Sequence, residues 1–244
     1  MEHITENIKD IMANQQGPNE GLNKIVPVII KKGLDNTDLS MFTEDVRGKL
    51  LEAVGDEYAK KGLMDNAVRA YSMSNNNNKL IEIGDAYSKM GMQTKAIESY
   101  HKAESKENLI KIGEKCAKEG NESDAIKAFR YANEKERLNG IGEICVRKGR
   151  IEMAIEVFSV TNNNLKLIEI GNQCLKESHQ LEKAALAFEA AGNKEKLNKV
   201  ADIFLKEGLL ERALLTYKAA ENEIMVNFIK QNFSEKDFKK ATYI

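Results

Sequence analysis

Residues 80–91 read Leu80-Ile81-Glu82-Ile83-Gly84-Asp85-Ala86-Tyr87-Ser88-Lys89-Met90-Gly91, and residues 96–103 continue Ala96-Ile97-Glu98-Ser99-Tyr100-His101-Lys102-Ala103. The same residue types return 29 positions later as Leu109, Ile112, Gly113, Cys116 and Gly120, then Ala125, Ile126, Phe129 and Ala132. Another period on stand Leu138, Ile141, Gly142, Cys145, Gly149, Ala154, Ile155, Phe158 and Thr161. One period earlier, Leu51, Val54, Gly55, Tyr58, Gly62, Ala67, Val68 and Tyr71 fit without a shift. A fixed period of this size marks one small unit stacked on copies of itself.

Working outward, Gly171 keeps the spacing, and one extra residue near His179 and Gln180 delays Ala184 and Phe188 by one place. A sixth unit follows with Leu197, Val200, Ala201, Phe204, Gly208, Ala213, Tyr217 and Ala220. Before the first clear unit lies a worn copy: Leu22, Ile25, Val26, Ile29, Gly33 and Phe42. The outer units are the least regular, as expected of caps with one face to solvent. Within each unit the apolar spacings are three and four, the period of a helix. The second glycine (Gly33, Gly62, Gly91, Gly120, Gly149, Gly208) is placed to end a first helix in the left-handed conformation. A shorter helix follows, and the Asn75–Asn78 and Asn162–Asn164 runs suit the link to the next unit. The expected fold is all-α: an α-solenoid of stacked antiparallel helical hairpins, about seven units of 29–30 residues over 20–221, forming a curved superhelix. Residues 1–19 are expected to form a capping helix and linker, with Ile4, Ile8, Ile11 and Met12 at helical spacing. Residues 222–244 are read as an irregular C-terminal cap, because Phe228, Phe233 and Phe238 do not share a helical face. Pro27 is expected to kink the first worn helix or to mark its beginning.

The repeated Leu-x-x-Ile-Gly-x-x-Tyr and Ala-x-x-x-Tyr/Phe phrases resemble the tetratricopeptide superfamily. Leu replaces the aromatic residue that often opens the family motif, the terminal proline is missing, and the unit has 29 residues rather than 34. The short unit, and phrases such as Ala190-Ala191-Gly192-Asn193-Lys194-Glu195-Lys196-Leu197, are also similar to the helical repeats of clathrin heavy chain and coatomer subunits. The matched residues are packing residues, so the resemblance implies a fold before it implies a function.

Composition narrows the function classes. With 37 Lys and Arg against 38 Asp and Glu, the formal net charge is −1, which exerts no general pull on nucleic acid or anionic lipid. Met1 to Gly21 lacks the basic and apolar regions of a secretory signal, and no apolar run approaches the length needed to span a bilayer. The expectation is a cytoplasmic chain. There is no phosphate-cradling loop, no Gly-x-Ser-x-Gly elbow and no His-Glu-x-x-His. His3, His101 and His179 are scattered. The chain is therefore expected to be non-catalytic, with neither metal nor cofactor. Cys116, Cys145 and Cys174 occupy the row held elsewhere by Tyr58, Tyr87 and Phe204, so they are expected in the core as free thiols.

One pattern is independent of the apolar rows. The residue after the marker position of each unit (Gly55, Gly84, Gly113, Gly142, Gly171 and Ala201) is Asp56, Asp85, Glu114, Glu143, Asn172 or Asp202, and four residues later stands Lys60, Lys89, Lys118, Arg147, Lys176 or Lys206. Acid before base at this spacing stabilises a helix by roughly 0.2–0.5 kcal/mol, so a solvated face of paired charges is one reading. The tetratricopeptide resemblance implies another, in which both rows line a concave groove that reads a peptide or helix through complementary charge. A third groove row holds Glu52, Ile81, Ile110, Asn139, Ile168 and Asn198, of which Ile81 and Ile110 are expected to supply apolar anchors. The family's peptide-carboxylate clamp needs matched Asn and Lys, and only Asn172 with Lys176 comes close. The leading expectation is an adaptor for a protein or peptide partner. The alternative is a structural solenoid within a coat-like or self-associating assembly, and single-stranded RNA is disfavoured by the Ile and acid rows.

Overall fold

The computed structural model describes residues 18–177 and 180–233. The expected helix over Ile4–Met12, together with His3, His179 and Phe238, lies outside the described residues.

Among the described residues every regular element is helical. Chain order runs α1 (Pro18–Lys32), a 3-10 turn (Leu34–Asn36), α2 (Glu44–Lys60), α3 (Met64–Met73), α4 (Asn77–Lys89), α5 (Gln93–Lys102), α6 (Lys106–Lys118) and α7 (Glu122–Tyr131). It continues α8 (Lys135–Arg147), α9 (Ile151–Val160), α10 (Asn164–Cys174), α11 (Leu181–Ala190), α12 (Lys194–Lys206), α13 (Leu210–Ala219) and α14 (Glu223–Asn232). Helices α2 to α13 make six hairpins, each a longer first helix and a shorter second one. Two compact units divide the chain at residues 133 and 134. In the first, α2/α3, α4/α5 and α6/α7 pack as pairs, α3 lies on α4 and α5 on α6, and α1 lies on α2. In the second, α8/α9, α10/α11 and α12/α13 pack as pairs, joined by α9 on α10 and α11 on α12, with α14 against α13. This is an α-solenoid of hairpins laid down in chain order.

Left-handed residues punctuate the described repeats at two kinds of place. The first is the turn inside the hairpin, where Gly62, Gly91, Gly120, Gly149 and Gly208 have φ between +72° and +77°. At Gly91 the turn is closed by Gly91 N–H to the Ser88 carbonyl (3.2 Å) and Met92 N–H to the Tyr87 carbonyl (2.9 Å), a helix-ending motif that spares the last carbonyls. The second is the link between hairpins, at Asn75, Glu104, Asn133, Asn162, Gly192 and Glu221. The asparagines that follow (Asn76, Asn163, Asn193, Asn222) then cap α4, α10, α12 and α14 by accepting from the N–H three residues on.

The marker glycines have a packing reason. A Cβ built on Gly84 would lie 2.5 Å from the Tyr100 ring, and one on Gly113 would lie 2.7 Å from the Phe129 ring. Gly55, Gly142 and Gly171 meet Tyr71, Phe158 and Phe188 in the same way. The second helices of these five hairpins thus seat their rings in notches on the first. Ala67, Ala96, Ala125, Ala154, Ala184 and Ala213 are completely buried beside these rings. Cys116, Cys145 and Cys174 are buried free thiols, as their row requires, and burial pushes the Cys116 thiol up to about 11.

The worn first unit differs from expectation. Its first helix, α1, buries Ile25, Val26 and Ile29, but the 3-10 turn and an irregular stretch to residue 43 replace its second helix. Leu34, Leu39 and Phe42 are buried from that stretch, so the apolar pattern persists without helical hydrogen bonding. Pro27 does not mark a helix start: α1 begins nine residues earlier, at Pro18, and continues through it. Its missing N–H is tolerated because Pro27 is on the exposed side.

Candidate interaction clefts

The acidic row is partly absorbed by packing. The Tyr71 hydroxyl donates to Asp56 Oδ1 at 2.7 Å and the Tyr100 hydroxyl to Asp85 Oδ1 at 2.7 Å, while that of Tyr217 donates to Asp202. In the other three hairpins the ring is Phe129, Phe158 or Phe188, and the row holds Glu114, Glu143 or Asn172. Aspartate occurs only where a tyrosine stands opposite. The hydroxyls of Tyr71, Tyr100 and Tyr217 are held well above the usual phenol range, first by burial and then by the accepting carboxylate.

The same row is also met from the following hairpin. Lys79 on α4 reaches back to Asp56 on α2 at 3.7 Å and sits 3.2 Å from Glu82 on its own helix. Lys166 on α10 repeats this with Glu143 on α8 (3.5 Å) and Glu169 (3.3 Å). The adjacent carboxylates, Glu82 and Glu169 first, hold both ammonium groups above their ordinary range. Lys196 on α12 donates instead to the Asn172 side-chain oxygen at 2.8 Å.

These contacts replace the pairing expected within the helix. Asp56 does not pair with Lys60, nor Asp85 with Lys89, nor Asp202 with Lys206. Lys60, Lys89, Lys118, Arg147, Lys176 and Lys206 are all exposed and make no ion pair with any described residue. Packing that leaves the acids occupied from other helices leaves the bases to solvent.

Both rows come together in recurring clefts between successive first helices. Between α2 and α4 a cleft of about 480 Å³ is lined by Asp56, Ala59, Lys60, Tyr71, Lys79 and Glu82, among others. Three periods on, a cleft of about 240 Å³ between α8 and α10 is lined by the matching Glu143, Val146, Arg147, Phe158, Lys166 and Glu169. The apolar part of each is the aromatic edge with Ile83 or Ile170. Ile81, Ile110, Asn139 and Ile168 are half-buried and line neither cleft. Asn139 is engaged inside the fold, accepting from Thr161 Oγ1 at 2.8 Å and Asn163 Nδ2 at 3.3 Å.

The cleft lysines Lys79 and Lys166 and their partners Glu82 and Glu169 were not singled out from the sequence. Their available signal is a Lys immediately before the marker Leu, at Leu80, Leu167 and Leu197. Among the described residues no group of three His, Cys, Asp or Glu could hold a metal ion, and no helix is long and apolar enough to cross a membrane.

No family model and no curated protein matches the chain. Two solved structures are similar in part. One is the crystal structure of MamA protein, 22% identical over 70% of this chain and 92% of that one, with a TM-score of 0.25. The other is a circular tandem repeat protein with novel repeat topology and enhanced subunit contact surfaces, 12% identical over 91% of this chain and 52% of that one, TM-score 0.13. At such scores neither likeness adds to what the helices themselves show: the chain is a helical-hairpin repeat.

Proposed function

We propose that this chain is a non-catalytic adaptor, acting in the cytoplasm, that holds a peptide or helix of a protein partner against the face made by its first helices. The observation that carries this reading is the recurrence of one cleft, with the same mixture of aromatic edge, carboxylates and cations, three periods apart. A surface that served only solubility would not need to repeat a concave, part-apolar site. Cations without internal partners line both clefts, and complementary charge on a partner sets specificity and association rate. The half-buried Ile81 and Ile110 flank the row as apolar contacts. In this reading each unit carries its own stretch of groove, Asp56, Lys60, Ile81, Asp85, Lys89, Ile110, Glu114 and Lys118 in the first and Asn139, Glu143, Arg147, Asn172 and Lys176 in the second.

The test is reversal of Glu114 and Glu143 to Lys. Each stands in a hairpin whose ring is a phenylalanine, Phe129 or Phe158, so reversal changes groove charge and leaves the three Tyr–Asp bonds in place. The expected outcome is loss of partner recovery by affinity capture with an unchanged circular-dichroism melt. Recovery equal to that of the wild type would refute the adaptor reading.

A structural role in a larger assembly is favoured by a different feature. On α12 and α6 the exposed i, i+4 pair is ionic, Glu195–Lys199 and Glu107–Lys111. On α14 the matching pair is Ile224 and Phe228, 81% and 46% exposed. Light scattering separates the two readings, since a monomer at all working concentrations excludes self-association through that face.

A further inference from the structure

The residue two places after the buried alanine of each second helix is Arg69, Glu98, Lys127, Glu156, Leu186 or Leu215. In the first three hairpins this row is answered inside the chain. Arg69 pairs with Asp35, and Glu98 pairs with Lys127 of the next hairpin at 2.7 Å. The last two members are leucines, 49% and 58% exposed. Glu182, one turn before Leu186, and Arg212, three residues before Leu215, join α11 to α13 on this side at 2.8 Å, so the two leucines belong to one patch. Three residues beyond each leucine stand Glu189 on α11 and Lys218 on α13, both exposed. Neither makes an ion pair with any described residue. Equivalent places on neighbouring helices thus carry opposite charges that do not meet within the chain. An isolated exposed leucine is ordinary, but two neighbours framed by an open acid and an open base make a pattern.

We propose that a second copy of this chain covers the patch, with a two-fold axis running between α11 and α13. In such a contact residue i meets residue j and j meets i. Leu186 packs on the partner's Leu215 and Leu215 on the partner's Leu186, while Lys218 reaches the partner's Glu189 and Glu189 the partner's Lys218. The occupant is a copy because the two places that the axis exchanges carry opposite signs, which is what self-complementarity requires. A patch that read an unrelated acidic or basic chain would carry one sign at both. Glu211, one turn before Leu215, comes to the partner's Arg212, whose guanidinium has donors for a second carboxylate. A face two short helices wide is small beside a standard interface, so the dimer is a weak one. It uses neither Ile224 and Phe228 of α14 nor the cleft residues, and so stands apart from both readings above.

The test is sedimentation equilibrium of the full chain at low ionic strength over a range of concentrations. The wild type is expected to rise reversibly in mass towards two copies and no further, since a two-fold contact closes on itself. Leu215→Ser should abolish the rise. Lys218→Glu and Glu189→Lys should each weaken association about tenfold or more, because like charges then face each other. Combining the two restores opposite signs and should return the affinity to within about threefold of wild type. Ile224→Ser, on α14, should leave it within about twofold. All these side chains are exposed, and unchanged melting temperatures exclude unfolding as the cause. A wild type that stays monomeric, a combined variant as weak as the single ones, or an equal loss in Ile224→Ser overturns the proposal.

Discussion

Tyr100 and Asp85 are 15 residues apart in sequence and 2.7 Å apart across a hairpin. Three such pairs occur, and each replaces a Phe paired with Glu or Asn, so the chain varies two positions together. A hydroxyl at the edge of a packed ring needs an acceptor, and the short Asp side chain places one there. Asp85→Ala is expected to cost about 1–3 kcal/mol because it strands that hydroxyl, whereas Tyr100→Phe costs about 1 kcal/mol. In the Tyr100→Phe background Asp85→Ala should be nearly neutral, a coupling that a double-mutant cycle in urea denaturation measures. Alkaline pH reads these bonds and that of the Tyr87 hydroxyl, which donates to Asp65 Oδ1 at 2.6 Å. Tyr71, Tyr87, Tyr100 and Tyr217 are held above the ordinary phenol range, so above about pH 10 the unfolded chain releases protons that the folded chain keeps. The unfolded state then binds fewer protons, and stability falls as pH rises, by up to about 1.4 kcal/mol per pH unit for each tyrosine. A urea midpoint that stays constant from about pH 9 to 11 would contradict this.

At the scale of the element, the unit is a ring seated in a notch. Gly113 in mid-α6 forgoes about 1 kcal/mol of helix propensity relative to Ala. The Cβ it lacks would fall 2.7 Å from Phe129, a distance that no packed carbon keeps. Overpacking typically costs 1–3 kcal/mol. Gly113→Ala is therefore expected to lose about 1 kcal/mol net, and adding Phe129→Leu should recover part of it, as chemical denaturation will show. The sixth hairpin carries Ala201 at the glycine's place and buries both it and Tyr217 completely, so a methyl is accommodated there. Gly91 was legible as a helix end because its spacing and its place after the last apolar residue both said so. Gly84 was legible only as a marker, since a mid-helix glycine shows its reason only when the ring 16 residues on is in place.

Across the molecule, the hairpins within each unit touch their neighbours in sequence, so stability is a sum of hairpins and interfaces rather than one cooperative core. Gly171→Ala, whose Cβ would meet the Phe188 ring, should raise amide exchange across α10, α11 and their immediate neighbours. Residues 18–120 should keep their protection, and uniform loss of protection over the chain would contradict the additive picture. The hairpins, their turns and the buried cysteine row could be read directly from the sequence, because helical spacing and punctuation are local and recur six times. The partners of the charges could not. Asp56 looked paired with Lys60 on its own helix, yet its contacts are Tyr71 from the second helix and Lys79 from the next hairpin. The second worn helix also failed to form, although Leu34, Leu39 and Phe42 kept their burial. Period and residue type decide which face of a helix is buried, and that much is carried by neighbours three and four apart. Which side chains meet across helices 15 to 24 residues distant depends on how rings, notches and lysine stems share space, and only the packed structure decides it.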